Sequence, residues 1–178
     1  MRTVRIAADR VGALVGKSGE TKKMLQRVSG LELDISKDGV VVINRREDGD
    51  PLMELSLADV VKAIGRGFNP EKALRLLEDD EYLEIIDLKE YVSDKQMMRV
   101  RGRLIGKEGK TRKIIEDLTL CDMIIYGNTV GLIGNSISLP VAKHAVDMLI
   151  NGSEHSSVYG YLEGQRPRLR ISEMGFDL

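Results

Sequence analysis

Residues 12 to 23 (GALVGKSGETKK) align without a gap on residues 102 to 113 (GRLIGKEGKTRK), and seven of the twelve positions are identical. A self-match constrains the fold more than composition can, because each copy has to solve the same burial problem with the same elements. The match continues as a pattern. Met24, Leu25 and Val28 correspond to Ile114, Ile115 and Leu118, and the apolar run Val40 to Ile43 corresponds to Val130 to Ile133. Two copies of one domain are therefore predicted. Register is lost at residues 46–51 (REDGDP), a polar, turn-rich stretch that the second copy largely lacks and that reads as a surface loop.

Periodicity gives the element order within a copy. In the first, a strand near 3–8 leads to a short helix near 10–15, a Gly-rich loop at 16–19 and a helix over 20–29. Strands follow near 31–36 and 40–44, and a last helix covers 53–66, where Leu57, Val60, Val61 and Ile64 form a buried stripe. The order is β-α-α-β-β-α. The second copy opens with an added helix, for which Asn69 is the cap, Pro70 the first helical residue and Ala73, Leu74 and Leu77 the apolar face. It continues with a strand near 83–89, a helix near 95–105, a loop at 106–109 and a helix over 110–119. Strands near 122–126 and 129–134 and a helix over 139–150 complete it. Residues 152–178 are interrupted by Gly and Ser and carry Arg166, Arg168 and Arg170; they read as an extended arm.

The Gly-rich loops invite a nucleotide-hydrolase reading, since a phosphate-cradling P-loop runs G-x-x-x-x-G-K-[ST]. Gly12 to Ser18 is one residue too short for it, and the second copy has Glu108 where a metal-binding hydroxyl is required. The alternative is a four-residue G-x-x-G turn between two helices. Two glycines permit backbone angles closed to other residues and remove side chains that would hold a phosphodiester at a distance. The turn feeds a helix N-terminus, whose free amides and dipole favour an anion, and Lys17 or Lys107 adds positive charge at the tip.

Such a turn, found twice in two β-α-α-β-β-α units, resembles the K-homology (KH) family in its type I arrangement. The resemblance implies an α+β fold: two type I KH domains, each a three-stranded antiparallel sheet packed by helices on one face. The domains are placed at 1–68 and 69–152, with a C-terminal extended tail over 153–178. A KH domain clamps about four nucleotides of single strand with its GXXG loop. Composition agrees with that mode. Aromatic residues make up 4% of the chain and Trp is absent, so a base-stacking platform is not expected. An aliphatic floor is available from Val15, Leu25, Val28, Leu33 and Ile35, and from Ile105, Ile115, Leu118 and Met123, although each is more simply read as core.

Charge is balanced overall, at a net of -1, but it is unevenly placed. Between Lys95 and Lys113 there are eight basic residues against Glu108, and between Arg2 and Arg27 seven against Asp9 and Glu20. Glu78 to Glu90 is the reverse, with seven acids against Lys89. The basic runs surround the anion-ready loops. The candidate RNA-binding residues are therefore Gly16, Lys17, Ser18, Gly19, Lys22 and Lys23 in the first copy. In the second they are Arg99, Arg103, Gly106, Lys107, Glu108, Gly109, Lys110, Arg112 and Lys113.

Two type I KH domains joined by a helix-containing segment, with Gly67 to Ala73 at the junction and Val158-Tyr159-Gly160 in the tail, resemble the archaeal tandem KH-domain ribosome-assembly proteins. These are relatives of the eukaryotic partner of the Nob endonuclease. The resemblance implies a small-subunit assembly factor that binds the 3′ region of (pre-)16S rRNA. The protein partners it implies are a Nob-type endonuclease, a Rio-type kinase or the alpha subunit of archaeal initiation factor two. Eukaryotic relatives have lost the first GXXG turn, whereas Gly16-Lys17-Ser18-Gly19 is intact here. A tandem KH accessory factor in transcription elongation or RNA decay is the alternative; such families usually add an S1-type barrel or use the type II order. One Cys and two His leave little for a metal site, and His144 and His155 have no partner placed by spacing. No enzyme activity and no cofactor are expected. No apolar run nears the roughly 20 residues of a membrane span, so a cytoplasmic protein with no membrane partner is expected.

Overall fold

Short β-branched runs supply the strands, and each strand pairs within its own half of the chain. β1 (Arg2–Arg5), β2 (Glu32–Ile35) and β3 (Val40–Asn44) form a three-stranded antiparallel sheet in the order β1-β3-β2. β4 (Tyr82–Asp87), β5 (Asp122–Tyr126) and β6 (Thr129–Gly134) form another in the order β4-β6-β5. The computed structural model describes residues 1–175 and divides them into one unit over Met1–Glu81 and a second that begins at Tyr82.

In the first unit a 3-10 turn (Ala8–Arg10) runs into α1 (Val11–Val15), the G-x-x-G turn follows, and α2 (Glu20–Ser29) leaves it. After β3 the Asp50 carboxylate accepts a hydrogen bond from the Leu52 amide at 2.9 Å and caps α3 (Pro51–Gly65), whose Leu57, Val60, Val61 and Ile64 are fully buried. Val41 and Ile43 of β3 meet those helices from the sheet, while Val40 and Val42 alternate away from them. α4 (Pro70–Ala73) is capped by Asn69, which accepts from the Lys72 amide at 2.8 Å. In the second unit the order is β4, α5 (Asp94–Ile105), the second turn, α6 (Lys110–Thr119), β5, β6, α7 (Ser138–Ile150) and α8 (His155–Glu173). Each unit thus has the expected β-α-α-β-β-α core and the expected α+β class.

Three expectations need correction. The helix after Asn69 packs on α3 and belongs to the first unit, so the division falls after Glu81 and not at 68. Its buried residues are Ala73 and Leu76, not Leu74 and Leu77, because Leu74–Leu77 tightens into a 3-10 turn in which residues three apart stack. The extended arm is absent over most of its length: His155–Glu173 is the helix α8, seated on α6 and α7 through Val158, Leu162 and Leu169. Gly160, Gly164 and Pro167 argue locally against helix, and burial of an apolar side chain, worth about 1.5–3 kcal/mol each, overrides them. The last three residues of that expected arm lie outside the described residues.

Candidate nucleic-acid interface

The two turns have nearly the same backbone. Gly16 has φ 76° and ψ 173°, Ser18 φ 55° and ψ 26°, and Gly19 φ 75° and ψ 13°. Gly106 has φ 76° and ψ 173°, Glu108 φ 55° and ψ 29°, and Gly109 φ 77° and ψ 12°. The first glycine of each turn is fixed twice over. Its angles lie in a region open only to glycine, and a Cβ there would stand 2.2 Å from the Oγ1 of Thr21 or Thr111. The second glycine is different. A Cβ on Gly109 would meet nothing within 4 Å, and one on Gly19 only the end of Lys23, so this position faces open space.

Gly19 and Gly109 are also the N-cap residues of α2 and α6, and no side-chain hydrogen bond caps either helix. The first-turn amides that a Ser or Asp would otherwise satisfy are therefore left to an external acceptor, and the helix dipole adds the equivalent of about half a positive charge there. Lys17, Lys22 and Lys23 flank the first turn, and Lys107, Lys110 and Lys113 the second. Among the described residues none of these six is in an ion pair. Arg99 is exposed on α5, with Lys107 and Lys110 close by around one concavity.

Not every candidate is free to meet an anion. The Arg103 guanidinium donates to the Leu149 and Ser153 carbonyls, closing the C-terminus of α7, so its donors are engaged within the fold. Arg112 donates to the Met123 carbonyl at 3.3 Å and lies 3.5 Å from the Glu116 carboxylate, which makes it a link between α6 and β5. In the first unit Arg2 faces Glu54, Arg5 faces Asp38, and Arg10 donates to the Ile64 and Phe68 carbonyls at 2.8 and 3.1 Å. The charge runs along the chain include all of these, although their partners lie within the fold.

The aliphatic floor separates in the same way. Leu25, Leu33, Ile115 and Met123 are core, Val28 is exposed, and Val15, Ile35, Ile105 and Leu118 are half-buried. Along α6 a groove leaves the second turn past Lys113 and ends at Glu116, Asp117 and Asp122. It is cationic where phosphates would sit and acidic farther on, where carboxylates can accept hydrogen bonds from base amino groups.

The acidic segment is partly used internally: Glu81 pairs with Arg75 at 2.9 Å, Glu84 with Lys143 at 3.0 Å, and Asp87 accepts from the Lys89 amide. Burial pushes the Glu81 carboxyl above the usual carboxylate range. Among the described residues no group of three or more His, Cys, Asp or Glu could hold a metal ion, and no helix is long and apolar enough to cross a membrane.

Sequence reasoning missed α8 and what it brings to the second turn. Tyr159 Oη and Thr111 Oγ1 are hydrogen bonded at 3.0 Å, and His155 Nε2 donates to the Arg103 carbonyl at 3.0 Å. Thr111 is the residue packed against Gly106, so α8 reaches the turn through one intermediary. The Val158-Tyr159-Gly160 motif was the available signal.

An intact G-x-x-G turn between two helices, inside a unit with sheet order β1-β3-β2, defines a type I KH module, and this chain holds two. The second is matched over residues 82–167 by the family model described as the eukaryotic type KH-domain (KH-domain type I), that of PNO1. The KH domain-containing protein MJ0443 of Methanocaldococcus jannaschii is 44% identical over 94% of this chain and 74% of its own length. The pre-rRNA-processing protein pno1 of Aspergillus fumigatus is 35% identical over 63% of this chain and 46% of its own length. Among solved structures, the crystal structure of the a/eIF2alpha-aDim2p-rRNA complex from Pyrococcus horikoshii contains a chain that superposes with a TM-score of 0.88 at 43% identity, covering 94% of both chains. The chain belongs to the KH-domain family of PNO1 and archaeal Dim2p.

Proposed function

We propose that this chain is a non-enzymatic, cytoplasmic RNA-binding factor of small-subunit ribosome assembly. It takes the single-stranded 3′ region of (pre-)16S rRNA across its GXXG turns. The observation that carries the reading is the second turn itself: Gly106 to Gly109 lead into α6, whose start no side chain caps, and lysines with no ion-pair partner among the described residues ring it. Contacts are assigned to Gly16, Lys17, Ser18, Gly19, Lys22 and Lys23, and to Arg99, Gly106, Lys107, Glu108, Gly109, Lys110 and Lys113. Arg112 contributes its charge from the α6–β5 link, and Arg103 is withdrawn.

The relatives support the RNA and the pathway. One is named for pre-rRNA processing, and another shares a crystal with rRNA and a/eIF2alpha. That complex also makes the alpha subunit of the initiation factor the first protein partner to test, before a Nob-type endonuclease or a Rio-type kinase.

The test is equilibrium binding of an oligonucleotide from the 3′ end of 16S rRNA as salt is varied. A log–log slope of several units is expected, because each neutralised single-strand phosphate contributes about 0.7 to it. Affinity indifferent to salt would remove the lysine-ringed turns from the interface.

A further inference from the structure

Around the second turn, on the side of α5, lies a concavity of about 460 Å³ that the internal repeat does not explain. Arg99, Lys107 and Lys110 line it, together with Gly102 and the rings of His155 and Tyr159 from α8; Arg103 lines it too, but its guanidinium is engaged by the Leu149 and Ser153 carbonyls. Gly102 has nothing within 4 Å of where a Cβ would stand, so the α5 side is open to an entering group. The two rings have centroids 6.1 Å apart and are tilted by 58°. Both are already tethered, Tyr159 through its hydroxyl to Thr111 and His155 through Nε2 to the Arg103 carbonyl. A ligand that lands on them therefore loses little by ordering them.

Three cations beside two half-buried aromatic rings match a ligand with an anionic part and a flat π face. A nucleotide has both. The position matters as much as the chemistry, because Lys107 belongs to the GXXG turn and to this concavity at once. A strand gripped by the turn would place its neighbouring residue here.

We propose that this concavity is an additional nucleotide subsite, which takes the next residue of the single-stranded RNA held by the second GXXG turn. Its phosphate lies against Arg99, Lys107 and Lys110, and its base stacks on Tyr159 or His155. The proposal rests on the RNA-binding reading above. It lengthens the footprint of the second unit beyond the roughly four nucleotides of a KH groove. It also gives a chain poor in aromatic residues one local place to stack a base.

Nested RNA oligonucleotides from the 3′ end of 16S rRNA, growing from about four to about eight residues in either direction, separate the possibilities by fluorescence anisotropy. The wild-type protein should gain affinity when the oligonucleotide is extended on one side. Tyr159→Ala should lose roughly fivefold or more on the extended RNA and little on the short one, the size expected for one stacked base. Tyr159→Phe keeps the ring and loses only the bond to Thr111, so it should keep most of the gain on extension.

Arg99→Ala, on an exposed helix face, should lower the salt slope on extended RNA by about one contact's worth and leave folding intact. Equal losses on short and extended RNA for Tyr159→Ala, or a Phe variant as weak as the Ala variant, would reduce Tyr159 to a brace for the turn and overturn the subsite. No gain on extension in the wild type would overturn it too, while leaving the GXXG interface standing. Binding to neither length would overturn the RNA reading itself.

Discussion

In the first unit Thr21 packs against Gly16 and, among the described residues, makes no side-chain hydrogen bond; in the second Thr111 packs against Gly106 and is tied to Tyr159 of α8. Thr21 is half-buried and Thr111 is buried. The helix before the second turn is also longer, since α5 begins at Asp94 whereas α1 begins at Val11 after a 3-10 turn, and the added turns carry Lys95 and Arg99. Nearly identical backbone angles therefore sit on unequal supports. The comparison teaches that a turn's conformation is fixed by its own glycines, whereas its rigidity and its charge come from neighbours the motif does not contain.

The largest expected effects come from the first glycine of each turn. Gly16→Ala and Gly106→Ala each force a Cβ onto a threonine at a glycine-only backbone position, and each should lower stability by about 3 kcal/mol or more in denaturant titration. Gly106→Ala should cost more, because Thr111 is held by Tyr159 and cannot turn aside. Equal losses would mean that the α8 tether adds no rigidity.

Next in size is charge reversal at the turn tips. Replacing Lys107 and Glu108 by Asp should weaken RNA binding about tenfold or more, while the parallel change at Lys17 and Ser18 should have the smaller effect. Circular dichroism establishes that both variants fold, and a larger loss at the first turn would reverse the assignment of the second unit as the principal clamp. Arg103→Ala separates the structural arginines from the interface. It should cost about 1–2 kcal/mol of stability, from the two side-chain hydrogen bonds lost at the end of α7, with no change in the affinity of the folded protein for a short RNA gripped by the turn alone.

The smallest effect concerns the ends of α2 and α6, where Gly30 and Leu120 both adopt left-handed angles. Leucine is strained there. Leu120→Gly should raise the stability of the second unit by up to about 1 kcal/mol, as relief of the strain slightly exceeds the added entropy of glycine in the unfolded chain.

Much of this was legible from one sequence. The repeat fixed α2, α6, β5 and β6 to the residue, since the pattern that encodes them is local: apolar spacing closed by a glycine or a turn. The tail was not legible, because Gly160, Gly164 and Pro167 are local signals against helix, and the apolar contacts that outweigh them come from α6 and α7, far away in sequence. The site was half legible. Gly16, Lys17, Gly106 and Lys107 announce themselves by motif, whereas whether Arg99 or Arg103 faces solvent depends on which carbonyls fold to within its reach.

Those carbonyls hold a further lesson. Ile64 and Phe68 end α3 as Leu149 and Ser153 end α7, with Gly67 and Gly152 at matching left-handed positions between them. Arg10 serves the first pair and Arg103 the second, yet by the repeat Arg10 aligns with Val100, and Arg103 with Ala13. The two copies thus keep one electrostatic closure while drawing the cation from places three residues apart, almost one helical turn. A chimera that exchanged the helix before the turn, but not the helix it closes, would still contain a suitable arginine in each half. Whether it holds would show if the closure belongs to a position in the alignment or to a place in space that any nearby guanidinium can fill.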